Sequence, residues 1–376
     1  MSAGSIAVGV IGGVVLLVTL ADVFVTVFNY DGFTFLSGRF HRLFWHGLRR
    51  GTCWLPAGSR AGVLSLGSAA MLPATLIFWL VLEVSAFALM YLPGLTGGGF
   101  RLSDHLQPQI GTAFYFSAGD ITSLTFGDVV PRSGLCQALV DAETAAGLAT
   151  VGLAVAYILA AFDALGSLNK LHARVRRQAT EPNRPSTIVA RYFHGGQPGE
   201  LTGVLEAFTE DLEDYDQGLR RYPVVFYFHS RRAERSIPRI FAALGDLIEV
   251  TRWGLPADQW LTRHPDVLAL ADEYTNTVRR LQRSFVGPAI GNAPTPLPEP
   301  AFWAHYRQDQ PVNEHVLAFR SLEQEARQAS GLASDPHSQS AQTYRRYQEW
   351  LPFHHRRRTL INRVTRALGY PPTEAR

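Results

Sequence analysis

Apolar and polar positions along this chain separate into blocks. Three stretches, about Ile6–Phe28, Val63–Leu92 and Leu135–Phe162, stay apolar long enough to cross a hydrocarbon core as helix, which takes about 20 residues. No Lys or Arg precedes Arg39, so the first stretch lacks the basic start of a signal peptide and reads as a span. Beyond residue 166 the pattern turns amphipathic: Leu201, Leu205, Phe208 and Leu212 recur at helical spacing, as do Ile237, Ile240, Leu244 and Leu247. It predicts helices at about 198–219, 223–250, 256–286, 312–329 and 339–368. Loops are expected at Glu181–Pro185, around Pro288, Pro294, Pro296, Pro298 and Pro300, and at Ser330–Ser340. The expected fold class is an all-α membrane protein with three transmembrane helices, one re-entrant loop and a helical cytoplasmic domain. Its divisions are 1–60, a span with an interfacial segment; 61–165, a membrane domain; and 166–376, the helical domain.

Charge follows the same division. Of 35 Lys and Arg and 32 Asp and Glu, residues 1–165 carry 16 and the rest of the chain 51. With 47% hydrophobic and 18% charged residues overall, this excludes a single-domain soluble enzyme, a disordered chain and a disulfide scaffold. Cys53 and Cys136 are the only cysteines, and no zinc spacing surrounds them. A net charge of +3 does not point to nucleic acid. Arg39, Arg42, Arg49, Arg50 and Arg60 follow the first span, and Lys170, Arg174, Arg176 and Arg177 follow the third; only Arg101 and Arg132 lie between the second and third. By the positive-inside rule the first loop and the C-terminal half are cytoplasmic, with the N-terminus and residues 93–134 outside. Phe35, Leu36, Phe40, Leu43, Phe44, Trp45 and Leu48, set among the arginines, read as an interfacial amphipathic helix, with a plain linker as the alternative.

Residues 106–131, LQPQIGTAFYFSAGDITSLTFGDVVP, are too short and interrupted for a fourth span. A helix-compatible run, Ile110–Ile121, leads into Thr122-Ser123-Leu124-Thr125-Phe126-Gly127-Asp128 and leaves at Pro131. Non-helical backbone at membrane depth must be buried in protein or line water. A short helix pointing its negative end at an axis, followed by an extended run of carbonyls and a hydroxyl, is how an ion filter is built.

The order span, pore helix, filter-like run and span resembles the pore core of potassium channels, over about residues 61–165. Ala113–Ser117 is similar to that family's pore-helix start, Thr122–Asp128 to its threonine-rich filter signature, and Val129-Val130-Pro131 to its exit. Glu143, Gly147 and the small-residue helix ending Ala156-Tyr157-Ile158-Leu159 resemble its inner helix, and Asp22–Thr26 lies in an extra span like that of some bacterial members. The resemblance implies four chains around one axis, since one loop cannot enclose a pore. It implies passive K⁺, or Na⁺, permeation through Ser123, Leu124, Thr125, Phe126 and Gly127, supported by Thr122, Asp128, Asp120 and Glu143, with a hinge at Gly147. Close helix packing is the other reading of Gly147. No cofactor or metal beyond the permeant monovalent cation is expected, and no enzymatic activity.

Two positions depart from the family. Thr125 stands where the family has a glycine with positive φ, a backbone state a β-branched residue avoids. Asp120 stands where the family commonly has a hydroxyl residue. Three functions therefore stay open: a potassium-channel-like pore, a non-selective or sodium-conducting pore, and a non-conducting sensor or scaffold. In each, lipid, a homotetramer and an unidentified cytoplasmic ligand or partner are the expected contacts.

The other charged positions have plain readings beside functional ones. Asp22 reaches the cytoplasmic interface or serves a function; Glu83 caps a helix contact, reaches water or serves a function. Asp141 is solvated or paired with Arg132 or Arg101. Both Glu210–Asp216 and His354–Arg358 read as solvated helix faces. Their functional alternatives are a basic partner or divalent ion for the first and anionic lipid for the second.

Overall fold

The structure is a computed structural model describing residues 3–28, 34–124, 127–178, 186–193, 199–232, 235–287, 291, 293–307, 313–332 and 341–371. They form two units, Met1–Asp163 with Gly218–Phe228, and Ala164–Gln217 with His229–Arg376. The expected segments 1–60 and 61–165 thus belong to one unit, and a short piece of the distal half joins them.

The first unit contains α1 (Ala3–Phe28), α2 (Leu36–Gly51), α3 (Ala57–Thr96), β1 (Phe100–Leu102), α4 (Ile110–Ile121), β2 (Val129–Pro131) and the start of α5 (Gly134–Gln178). Helices α1, α3 and α5 are each long and apolar enough to cross a membrane. Two outrun the apolar stretches that predict them. α3 has 40 residues and α5 has 45, so α5 continues without a break through Lys170, Arg174, Arg176 and Arg177. α1 lies close on α3: a Cβ on Gly12 would fall 2.5 Å from the Ala86 carbonyl oxygen, so only glycine permits this approach.

The amphipathic segment after α1 forms α2, which buries Ser37, His41 and Trp45. Its N-terminus is capped from another helix. Asp22, fully buried on α1, accepts the main-chain N–H groups of Phe35 at 3.1 Å, Leu36 at 2.8 Å and Ser37 at 3.1 Å. It also accepts the Ser37 hydroxyl and, at 3.1 Å, the indole N–H of Trp79 on α3. Asp22 therefore does not reach out to the interface. It satisfies amides that a helix start leaves open, where the positive end of the dipole favours a carboxylate.

Between α3 and α5 the chain enters through β1, forms α4 and returns through β2. The strands pair antiparallel, Phe100 with Pro131 and Leu102 with Val129. This pairing holds the two ends of the excursion together and satisfies their backbone groups. The segment packs against Phe87, Ala88, Tyr91 and Leu95 of α3 and Cys136 of α5. Tyr91, Phe100 and Phe116 meet edge-on with centroids 5.2–5.6 Å apart, the arrangement aromatic quadrupoles prefer.

In the second unit the distal part of α5 is followed by α6 (Ser186–Tyr192), all but the end of α7 (Leu201–Arg221), α8 (Ile237–Glu249), α9 (Pro265–Leu281), α10 (Glu299–Tyr306), α11 (Glu314–Ser330) and α12 (Ala341–Ala367). The predicted helix 223–250 is broken: Pro223–Tyr227 is a 3-10 turn belonging to the first unit, and α8 starts only at Ile237. α6 and α10 were not expected. Pro300 opens α10 from within a proline cluster read as loop, as Pro238 and Pro265 open α8 and α9. Proline suits a first turn, where its missing N–H has no partner to lose. The expected loop Glu181–Pro185 lies outside the described residues.

Neither charged run is simply solvated. Asp211 and Asp216 are buried, Asp211 paired with Arg174 and, at 2.9 Å, Lys170, and Asp216 with Arg280 at 2.7 Å. His354 and Arg357 are also buried; Glu249 faces His354 at 3.1 Å and Arg357 at 2.9 Å, and Arg357 also pairs with Asp246. Burial alone would raise the Glu249 pKa, but Arg357 and His354 outweigh it and hold it below the ordinary glutamate value.

Candidate functional site

The short helix α4 covers the run Ile110–Ile121 that the sequence marks as its most helix-compatible part. Its end carries the expected site. Thr122 caps it, donating its hydroxyl to the carbonyls of Ala118 at 2.8 Å and Gly119 at 3.1 Å. The Ser123 amide donates to the Asp120 carbonyl at 2.8 Å, and the Leu124 amide to the Gly119 carbonyl at 2.7 Å. These paired bonds form a Schellman turn, whose pivot residue must be left-handed. That residue is Ser123, with φ 59°, the sole non-glycine with positive φ among the described residues.

This corrects one expectation. Ser123 opens the expected filter run, and the chain is not extended there but turns through a left-handed conformation. The carbonyls of Ala118, Gly119 and Asp120 thus accept bonds from their own chain. Leu124 is 58% exposed. Thr125 and Phe126 lie outside the described residues, and the expected strain at Thr125 with them. Gly127 is left-handed, φ 74°.

Past this turn the chain is tied back to α4. The Tyr115 hydroxyl donates to the Asp128 carboxylate at 3.1 Å, while the Asp128 carbonyl accepts the Ser103 amide at 3.0 Å. Behind α4 lies a buried polar junction. Glu143 of α5, fully buried, accepts the Tyr91 hydroxyl of α3 at 2.5 Å and bonds the Ser117 hydroxyl of α4. Ser117 also lies 3.1 Å from the Val84 carbonyl of α3. One carboxylate thus joins the two flanking helices to the short one. Asp120 is buried as well and accepts the Thr144 hydroxyl of α5 at 3.2 Å.

Gly147 has a packing role. A Cβ there would fall 2.5 Å from Ile121 Cγ1 and 3.2 Å from the Ile121 carbonyl, so its absence lets the end of α4 rest on α5. Of the other acids, Glu83 is buried, accepts the Thr150 hydroxyl at 2.6 Å, and leaves its second oxygen without a partner among the described residues. It does not reach water; its bond with Thr150 is a contact between α3 and α5. Asp141 is exposed, and among the described residues no ion pair joins it to Arg132 or Arg101. Among the described residues no cluster of three His, Cys, Asp or Glu could hold a metal ion.

Sequence reading named Glu143, Asp120 and Asp128 but not their partners Tyr91, Thr144, Tyr115 and Ser103. The available signal was the placing of hydroxyl residues in otherwise apolar helices. Which carboxylate each would meet depends on helix rotation and offset, which periodicity does not specify.

The chain is similar to an uncharacterized membrane protein of Bacillus subtilis (strain 168), YdjJ, at 22% identity over 253 residues, 67% of this chain and 71% of that one. No family model matches the chain. No solved structure matches it. The three apolar helices and this likeness make it a membrane protein.

Proposed function

We propose that the chain is the subunit of a tetrameric pore-loop cation channel resembling the potassium channels. Supporting this reading is the anchoring of a short helix to both flanking apolar helices through one buried carboxylate, Ser117–Glu143–Tyr91, with non-helical backbone returning beside it. Backbone of that kind at membrane depth requires a protein or water lining. On this reading α4 is a pore helix, Ser123–Gly127 the filter region with Thr125 and Phe126 at its centre, α5 the vestibule lining, and Gly147 a seat for α4 rather than a hinge. The tetramer conducts K⁺ or Na⁺ passively, with no cofactor and no chemical transformation. The N-terminus and residues 93–134 face outside, and the helical half is cytoplasmic, where it assembles or gates the tetramer.

A specific observation favours a second reading. The Schellman turn puts a left-handed residue, Ser123, where the filter run begins, and its bonds occupy the Gly119 and Asp120 carbonyls at the end of α4. A filter distorted this way makes the pore non-selective, or leaves it silent as a sensor or scaffold.

Flux from liposomes under separate K⁺ and Na⁺ gradients, with barium and Gly127→Asp as controls, decides between them. K⁺-selective, barium-blocked flux is expected of the first reading. Flux of both ions that becomes K⁺-selective in Thr125→Gly marks a non-selective pore. Silence of the native tetramer, relieved by Thr125→Gly, marks a degenerate one; silence of both removes the channel reading.

A further inference from the structure

The distal part of α5 presents two charged faces within the second unit. On one, Lys170 and Arg174 are neutralised by Asp211 and Asp214 of α7; Lys170 lies 2.9 Å from Asp211 and 3.4 Å from Asp214. On the other, Asn169, His172, Ala173, Arg176 and Arg177 line a pocket completed by Arg235, just ahead of α8. Asn169, His172 and Arg176 are spaced three and four apart, so they share one helix stripe. Among the described residues no carboxylate lines this pocket, and Arg176, Arg177 and Arg235 form no ion pair.

Arginines in the last turn of a helix complement its dipole and need no ligand for that. Arg235 is different: it comes from another part of the chain and converges on the same opening. Three like charges gathered with no counter-charge among the described residues repel one another, and an anion between them turns the repulsion into attraction. Guanidinium forks match the oxygens of phosphate, to which they bond in pairs. Asn169 adds an amide donor.

We propose that this pocket binds a phosphate-bearing anion. The ligand is a phosphate monoester, pyrophosphate group or anionic lipid headgroup, gripped by Arg176, Arg177 and Arg235 with Asn169 and His172 at the rim. The site does not depend on the channel reading, and its test uses no ion flux.

The probe is inorganic pyrophosphate, titrated by calorimetry into the full-length protein in phosphatidylcholine nanodiscs. Saturable heat at one site per chain is expected. Arg235→Gln and Arg176→Gln should each weaken it about tenfold, the usual scale for losing one charge-assisted contact. Arg358→Gln, which removes an exposed arginine outside the pocket, should leave it unchanged. These substitutions are at exposed positions, and matching circular dichroism spectra confirm folding. Repeating the titration in nanodiscs containing phosphatidylglycerol separates the two sources of phosphate. Abolished heat identifies a lipid headgroup as the occupant; unchanged heat identifies a free phosphate compound. The proposal is overturned by absent heat in phosphatidylcholine, by native affinity in both pocket variants, or by equal weakening in Arg358→Gln, which reports diffuse charge.

Discussion

The Tyr91 hydroxyl donates to the Glu143 carboxylate at 2.5 Å, joining α3 to α5 at the level where Ser117 of α4 meets the same group. Removing the acceptor leaves the buried Tyr91 hydroxyl only the Leu139 carbonyl at 3.4 Å and Ser117 only the Val84 carbonyl, and opens a cavity. Glu143→Ala should lower stability by about 3 kcal/mol, and Glu143→Gln, which keeps a carbonyl acceptor, by less than half of that. Thermal unfolding in detergent checks this; equal losses in both variants would show that the hydroxyls do not depend on the acceptor.

Ser123 occupies a left-handed position that glycine fills without a Cβ penalty. Ser123→Gly should therefore stabilise the chain by about 0.5 kcal/mol, after the greater freedom of glycine when unfolded. Ser123→Val should destabilise it by more than about 1 kcal/mol. The reverse order of midpoints would mean that the Schellman turn does not form.

Asp22 holds three amides of α2 and the Trp79 indole. Asp22→Ala should cost about 3 kcal/mol, since it uncaps a helix and leaves buried donors unpaired. Hydrogen exchange at Phe35, Leu36 and Ser37 should accelerate before that of the rest of α2. Unchanged protection there would rule out the cap.

Gly147 and Ile121 meet so closely that Gly147→Ala should destabilise by about 1–3 kcal/mol through overpacking. Adding Ile121→Ala, which removes the clashing Cγ1, should give a double mutant less destabilised than the sum of the two single changes, a coupling a double-mutant cycle measures. Strict additivity would separate Gly147 from the end of α4.

His41 provides a pH dependence. The Thr75 hydroxyl donates to the Met71 carbonyl at 2.8 Å, so it accepts from His41 Nε2 at 2.9 Å, and the neutral ring suffices. Burial lowers the His41 pKa from 6.5 to about 4, against a smaller upward pull from Asp22. A depressed folded-state pKa means that stability is full above 6.5 and is lost as pH falls toward 4, by about 3 kcal/mol at the end of that window. Unfolding midpoints between pH 7 and 4 should fall more steeply for the native chain than for His41→Gln. Parallel slopes would assign the acid loss to other groups.

Much of the architecture is written locally. Long apolar runs give helices because every backbone group is satisfied within the segment. Ile110–Ile121 stood out for the same local reason, and so did the amphipathic stripes of α7 and α8. The ends were less legible. A proline that marks a loop also opens a helix, which hid α10 and split the stretch after Pro223.

What only the tertiary structure decided was the destination of the buried charges. Asp22 became a cap for α2, Glu143 a junction of three helices, and Arg357 and His354 a buried group around Glu249. It also decided that the chain turns at Ser123 instead of running extended, because the turn bonds Leu124 back to Gly119. By itself the sequence determined that three helices are apolar enough to span a membrane, where a short fourth lies between two of them, and that the distal half is helical. Hydropathy and periodicity are summed along the chain, whereas a buried carboxylate finds its partner through the rotation and offset of helices distant in sequence. These follow from packing, as where Gly147 lets α4 rest on α5.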